Sequence, residues 1–151
     1  MLGPSVSLKE AWGHRLFTIG ALWLLLIGLV HSLSLIRNLA PANDTERQLL
    51  DLMTSYKFNL MGSMRSMDNL LRGFSITFML SAFGFSAVAF ALRRERTQVL
   101  KRVSLVYSLW LAVMTTVSFL YFFPAPTSFL AIALLLFLGA TLALPSSPSV
   151  A

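Results

Sequence analysis

Residues 73–92 carry no formal charge, whereas the stretch just before them, 61–72, holds Arg65, Asp68, Asn69 and Arg72. At about 1.5 Å rise per residue, a helix of that uncharged length reaches about 30 Å, the thickness of a bilayer's hydrocarbon core. The stretch from Asn59 to Leu92 therefore reads as one helix in which a polar headpiece leads into a membrane span.

The rest of the chain agrees with that reading. Of its 151 residues, 56% are hydrophobic and 12% charged, against roughly 25% charged in an ordinary soluble domain. Cysteine is absent, which excludes disulfides, thiolate-ligated zinc, cysteine-ligated iron–sulfur clusters and thiol redox chemistry. A net charge of +6 raises nucleic acid as a partner. The basic residues, however, stand in short runs beside apolar segments and lack aromatic interleaving, so anionic lipid headgroups are the expected neighbours and nucleic acid is not. No P-loop, dinucleotide fingerprint, HExxH zinc site or nucleophile elbow occurs, so no cofactor or metal is expected and catalysis is not the favoured reading.

Four spans are expected, at about 16–37, 72–92, 103–123 and 127–144. Together they form an all-α, four-helix transmembrane bundle that makes residues 1–151 a single integral membrane domain. The first apolar run is about 21 residues long, beyond the roughly 7–15 of a signal-peptide core, and reads as a retained span. Gly20, Gly28 and Ser32 suit close helix approach on it. Pro41 ends that helix after Arg37 and Asn38, and Asn43 with Glu46 forms a capping box that starts the next near Asp44.

From there Leu50, Met53, Leu60, Met64, Met67, Leu71, Phe74 and Phe78 recur at mostly three- and four-residue spacing, the mark of an apolar helix stripe. An unbroken helix over 44–92 would be about 70 Å long, so a bend is expected between Tyr56 and Ser63, where Gly62-Ser63 weakens it. The part before the bend, about 44–57, reads as an amphipathic helix along the membrane surface in the first extracytoplasmic loop. Gly73, Thr77, Ser81 and Gly84 form a small-residue ridge expected to be the packing face of the second span, and Ser104, Ser108, Thr115 and Ser118 line the third. Pro124-Ala-Pro126 reads as a turn, and the residues from Pro145 on as a frayed tail.

With four spans, one side of the membrane receives the termini and the loop 93–102, with seven basic and two acidic residues, and the other receives five basic and four acidic residues. The dense cluster after the second span favours cytoplasmic termini.

Three clusters carry candidate chemistry. His31 lies about 8 Å inside the first span, on a face shared with Gly28, Leu35 and Asn38. An imidazole at that depth is either a ligand donor, proton carrier or haem ligand, or a neutral ring bonded to the headpiece of the second helix. His14, about 25 Å away on the same helix, cannot share a metal with it. Arg65, Asp68, Asn69 and Arg72 share one face at helical spacing, and two guanidinium groups around one carboxylate attract a phosphate, a carboxylate or a lipid headgroup. The plainer reading is a solvated helix end with snorkelling arginines. Gly62, Ser66, Asn69 and Gly73 add a narrow edge beside them. Asp44, Glu46, Arg47 and Asp51, with Tyr56 and Lys57, supply acids and bases that no motif holds in a catalytic geometry. The methionines at 53, 61, 64 and 67 suit packing or an adaptable apolar groove.

The segments Gly28-Leu-Val-His-Ser32, Glu46-Arg-Gln-Leu-Leu50, Tyr56-Lys-Phe58, Met61-Gly-Ser-Met-Arg65 and Arg72-Gly-Phe74 together resemble a group of small four-span bacterial membrane proteins. The resemblance implies a bacterial inner-membrane location and no particular chemistry. In size and span number the chain is also similar to DoxX-like proteins, a likeness of architecture alone.

Three functional expectations follow. The favoured one is a lipid-like or anionic small molecule bound in a shallow outer-leaflet pocket lined by His31, Arg65, Asp68, Asn69 and Arg72. The second is an accessory subunit seated on a membrane-protein partner or a second copy of itself. The third is a membrane enzyme using His31 with Asp68 or Tyr56.

Overall fold

The computed structural model describes residues 7–36 and 40–146. Its elements run α1 (Leu8–Ser34), α2 (Asp44–Ser55), β1 (Lys57–Leu60), β2 (Ser63–Ser66), α3 (Met67–Leu92), α4 (Thr97–Tyr121) and α5 (Pro124–Ala143). Helices α1, α3, α4 and α5 are each long and apolar enough to cross a membrane. The architecture is the expected all-α bundle of a multi-pass membrane protein, with an added β-hairpin. The helices begin earlier than the apolar runs, at Leu8, Met67, Thr97 and Pro124, because polar residues at the ends of a span continue the helix beyond the hydrocarbon. Pro124 and Pro126 stand in the first turn of α5 and not in a loop, where a missing amide costs no helical hydrogen bond. The expected end of the first span at Arg37, the place of Asn38 beside His31 and the tail beyond Ser146 lie outside the described residues.

Two compact units divide the chain. One comprises the residues up to Ile27 and from Phe83 onward, and its core centres on Phe137, whose exposure is 0%. The Phe137 ring meets Phe17 edge-on at 5.7 Å and Tyr107 at 4.9 Å between centroids. A methyl group on Gly20 would fall 2.9 Å from Cε2 of Phe137, so glycine there lets α1 and α5 approach, as the small residues of α1 suggest. Several polar side chains within the apolar layers are hydrogen-bonded across helices, where lipid offers no alternative partner. Ser86 Oγ donates to the Ala21 carbonyl at 2.8 Å, Tyr107 Oη to Phe85 at 2.9 Å, and Trp23 Nε1 to Phe129 at 2.9 Å. Ser104, Ser108 and Ser118 are buried along α4, and Ser118 Oγ lies 2.9 Å from Thr127 Oγ1 of α5. At the start of α4, the Thr97 hydroxyl donates to Glu10 at 2.6 Å and sits 3.3 Å from His14 Nε2, joining α4 to α1.

The ridge expected to pack α3 does not do so. Gly73 and Gly84 are exposed, with nothing within 4 Å of where a Cβ would stand, and the buried small residues are Ala82, Ser86 and Ala89. Both sets recur at helical spacing, and composition alone does not separate them.

The second unit runs from Gly28 to Ala82. Asn43 caps α2 as expected: its side chain accepts from the Glu46 amide at 2.9 Å, while Glu46 Oε2 accepts from the Ala42 amide at 2.6 Å. The helix expected to run on through a bend instead stops at Ser55, and an antiparallel hairpin intervenes, pairing Lys57 with Ser66, Phe58 with Arg65, Asn59 with Met64 and Leu60 with Ser63. Its turn explains the change. Met61 and Gly62 both have positive φ, 49° and 90°, the conformation of a tight two-residue hairpin loop. Asn59 Oδ1 accepts from the Gly62 amide at 2.8 Å and locks the turn. The glycine read as a helix weakness is the turn residue, and Tyr56 and Phe58 before it are strand formers. The three- and four-residue spacing that suggested one stripe is interrupted by this turn.

Candidate functional site

The first turns of α3 and the strand before them build a shallow, open groove of about 400 Å³ lined by Arg65, Asn69, Leu70, Gly73, Phe74 and Thr77. Ser66 ends β2 and caps α3: its hydroxyl accepts from the Asn69 amide at 3.2 Å, while Asn69 Oδ1 accepts from the Ser66 amide at 3.3 Å. This reciprocal pair of bonds fixes the angle between strand and helix and, with it, the place of Arg65 above Asn69. Asn69, Gly73 and Thr77 then follow at four-residue intervals down one side of the helix. Gly73 leaves the floor low, Leu70 and Phe74 supply apolar walls, and Arg65 brings a cation to the polar end.

Arg65 is not on a helix face with Asp68 and Arg72, as its spacing suggested, because it belongs to β2. Among the described residues its Nη1 donates only to the carbonyl of the neighbouring Met64, at 3.4 Å. Asp68 pairs with Arg72 instead, Oδ2 to Nε at 2.9 Å, on the helix surface. With Arg72 exposed and Asp68 partly buried, that surface pair contributes a few tenths of a kcal/mol, as i,i+4 ion pairs do.

His31 packs on α3 at another place. Its ring meets Phe78 at 4.9 Å between centroids, tilted by 67°, and the backbone of Ser75 hydrogen-bonds it. Ser75 lies about 100° around the helix from Phe74 and Phe78 stands one turn beyond it, so His31 sits on the flank of α3 beside the Phe74 wall and is not part of the groove lining. The plainer reading expects a bond from this histidine to the headpiece of the second spanning helix; its partner is instead the backbone at Ser75, beyond that headpiece.

The five candidate residues thus fall into three places: Arg65 and Asn69 in the groove, Asp68 with Arg72 beside it, and His31 outside it against Phe78. Leu70, Phe74 and Thr77 complete the lining without having been candidates. The edge formed by Asn69 and Gly73 was the visible signal for them, since extending it by one turn reaches Thr77. Asp44 and Arg47 of the third cluster stand 3.9 Å apart and exposed. Among the described residues no three metal-binding side chains come together.

Such a groove has the chemistry to bind an anionic group beside an apolar one. One guanidinium and one carboxamide converge at its polar end, no acid–base pair faces them, and the remainder is apolar save for a threonine hydroxyl. No family model, curated protein or solved structure matches the chain, so the likeness to small four-span bacterial membrane proteins rests on the residue pattern alone.

Proposed function

We propose that this protein is a multi-pass protein of the bacterial inner membrane, with both termini cytoplasmic, that holds an anionic amphiphile such as a phospholipid in the groove at the start of α3. The observation that supports this reading is the order of groups along the groove. The cation at Arg65 comes directly before a spanning helix, at the level of headgroups, and the apolar walls at Leu70 and Phe74 follow where acyl chains begin. A charged headgroup meets Arg65 and Asn69, and its first methylenes lie along Gly73.

The open space at Gly73 gives a direct test. With nothing within 4 Å of a Cβ at that position, Gly73→Leu fills the groove without disturbing a neighbour. Native mass spectrometry of the purified protein is expected to show a retained lipid that is lost in Gly73→Leu and strongly reduced in Arg65→Ala, at unchanged melting temperature. Identical lipid profiles in wild type and both variants would end the proposal.

A second reading, an accessory subunit of a larger membrane assembly, draws on the exposed Gly84, where a small residue on a spanning helix lies open with nothing against it. Its mark is a complex surviving gentle detergent extraction in place of a lone 16.7 kDa species.

A further inference from the structure

Within the unit from Gly28 to Ala82, α2 and the hairpin present an apolar surface that the groove does not use. No residue of α2 is buried. At helical spacing Leu49, Leu52 and Tyr56 share one face, with exposures of 56, 61 and 65%, while Asp44, Arg47 and Asp51 occupy the opposite one. The hairpin continues this surface. Met61 is fully exposed at its tip and Met64 is 54% exposed. Met61 also sits in the left-handed region, where a side chain other than glycine or asparagine is disfavoured. An apolar side chain is held there with nothing of its own chain to cover it. An open apolar trough of about 380 Å³ lies among Leu52, Met53, Tyr56, Phe58 and Met67.

The connection to α3 identifies what covers this surface. β2 ends at Ser66 and α3 begins at Met67, so the hairpin joins a helix able to cross a membrane with no linker between them. The exposed apolar side chains of that helix, Phe74 and Leu71, continue through Met67 into Met64 and the trough. The surface is an extension of the one that α3 presents to lipid. We infer that α2 and the hairpin form a membrane-surface anchor, in which the Leu49–Leu52–Tyr56 face and the Leu60-Met61 tip enter the acyl-chain boundary of the leaflet in which α3 begins. Its charge indicates what kind of lipid it needs. Asp44, Glu46 and Asp51 against Arg47, Lys57 and Arg65 leave α2 and the hairpin together without net charge, so the anchor inserts by burying apolar area and does not depend on anionic headgroups. Its apolar face, tip and trough share no residue with the groove lining, although Arg65 of the groove belongs to β2 of the same hairpin.

The absence of cysteine makes the test direct. The full chain is reconstituted in phosphatidylcholine bilayers with a single spin label at Leu52→Cys, Met61→Cys or Arg47→Cys, the last on the polar face of α2. Accessibility to dissolved oxygen and to a water-soluble nickel chelate is then compared by electron paramagnetic resonance. Labels at 52 and 61 are expected to show an oxygen-to-nickel ratio several-fold above that at 47, unchanged when part of the phosphatidylcholine is replaced by phosphatidylglycerol. Equal nickel access at all three positions would overturn the anchor. Shielding of 52 and 61 from both reagents, or spin–spin broadening, would replace lipid with a protein partner or a second copy. A ratio that rises only with phosphatidylglycerol would contradict insertion by apolar burial. All three positions are exposed, so the labels displace no packed side chain.

Discussion

Replacing Phe137 with alanine is expected to lower the stability of the helical bundle by about 2 kcal/mol, measured as reversible unfolding in bicelles or as a fall in melting temperature in mild detergent. In a water-soluble core the cost of such a change is about 3–5 kcal/mol, because the lost transfer from water adds to the cavity. Here the transfer contribution largely disappears, since a separated helix still has its side chain in hydrocarbon. What remains is the void: removing about 100 Å³ at about 24 cal/mol per Å³ gives the expected value. Phe137 shares with Phe17 the largest fully buried side chain of the described core, and its ring meets both Phe17 and Tyr107. Truncating a lipid-facing residue such as Leu138, which is 39% exposed, is expected to cost much less.

The converse change at Gly20 acts on the same contact. Gly20→Leu drives a side chain toward the Phe137 ring, which already stands 2.9 Å from where a Cβ would be. Because that ring is wedged between two aromatic neighbours it has no free direction of retreat, and the helices must separate. The expected loss is about 1–3 kcal/mol, with helix association rather than helix content affected, so circular dichroism stays constant while the melting temperature falls. Combining Gly20→Leu with Phe137→Ala is expected to be milder than the sum of the two, since each supplies space the other lacks. Additive losses would show that the two residues do not share a contact.

Much of this architecture is legible in the sequence, for a physical reason. A bilayer demands long uncharged helices, and the runs ending at Leu92 and beginning near Leu16 admit little else. The capping box at Asn43 and Glu46 is local chemistry and is equally visible. The hairpin is not, because the apolar residues Leu60, Met64 and Met67 fit a helix stripe as well as the surface that strand and helix form together. Only the turn at Met61-Gly62 distinguishes the two, through backbone angles that a single glycine does not announce.

The packing of α3 is hidden for a related reason. In lipid a small residue lines either a helix contact or an open groove, and Gly73 proves to be the second where Gly20 is the first. The candidate site follows the same division. Arg65 and Asn69 were visible as polar residues before a span, but their neighbours changed once Arg65 left the helix for β2. His31 is visible as a deep imidazole, whereas its place outside the groove, against Phe78, depends on the rotation of two helices, which one-dimensional spacing does not supply.

The central functional claim is that an anionic amphiphile occupies the groove at the start of α3, and the most direct measurement is photolabelling. The intact protein in nanodiscs is irradiated with a phospholipid carrying a diazirine near its anionic headgroup, and the adducts are mapped by peptide mass spectrometry. Adducts are expected to concentrate on residues 65–77 in wild type and to disappear from them in Gly73→Leu. Labelling that spreads evenly over the exposed residues of every span, or that gathers on the basic loop 93–102 with residues 65–77 unmarked, would contradict the account.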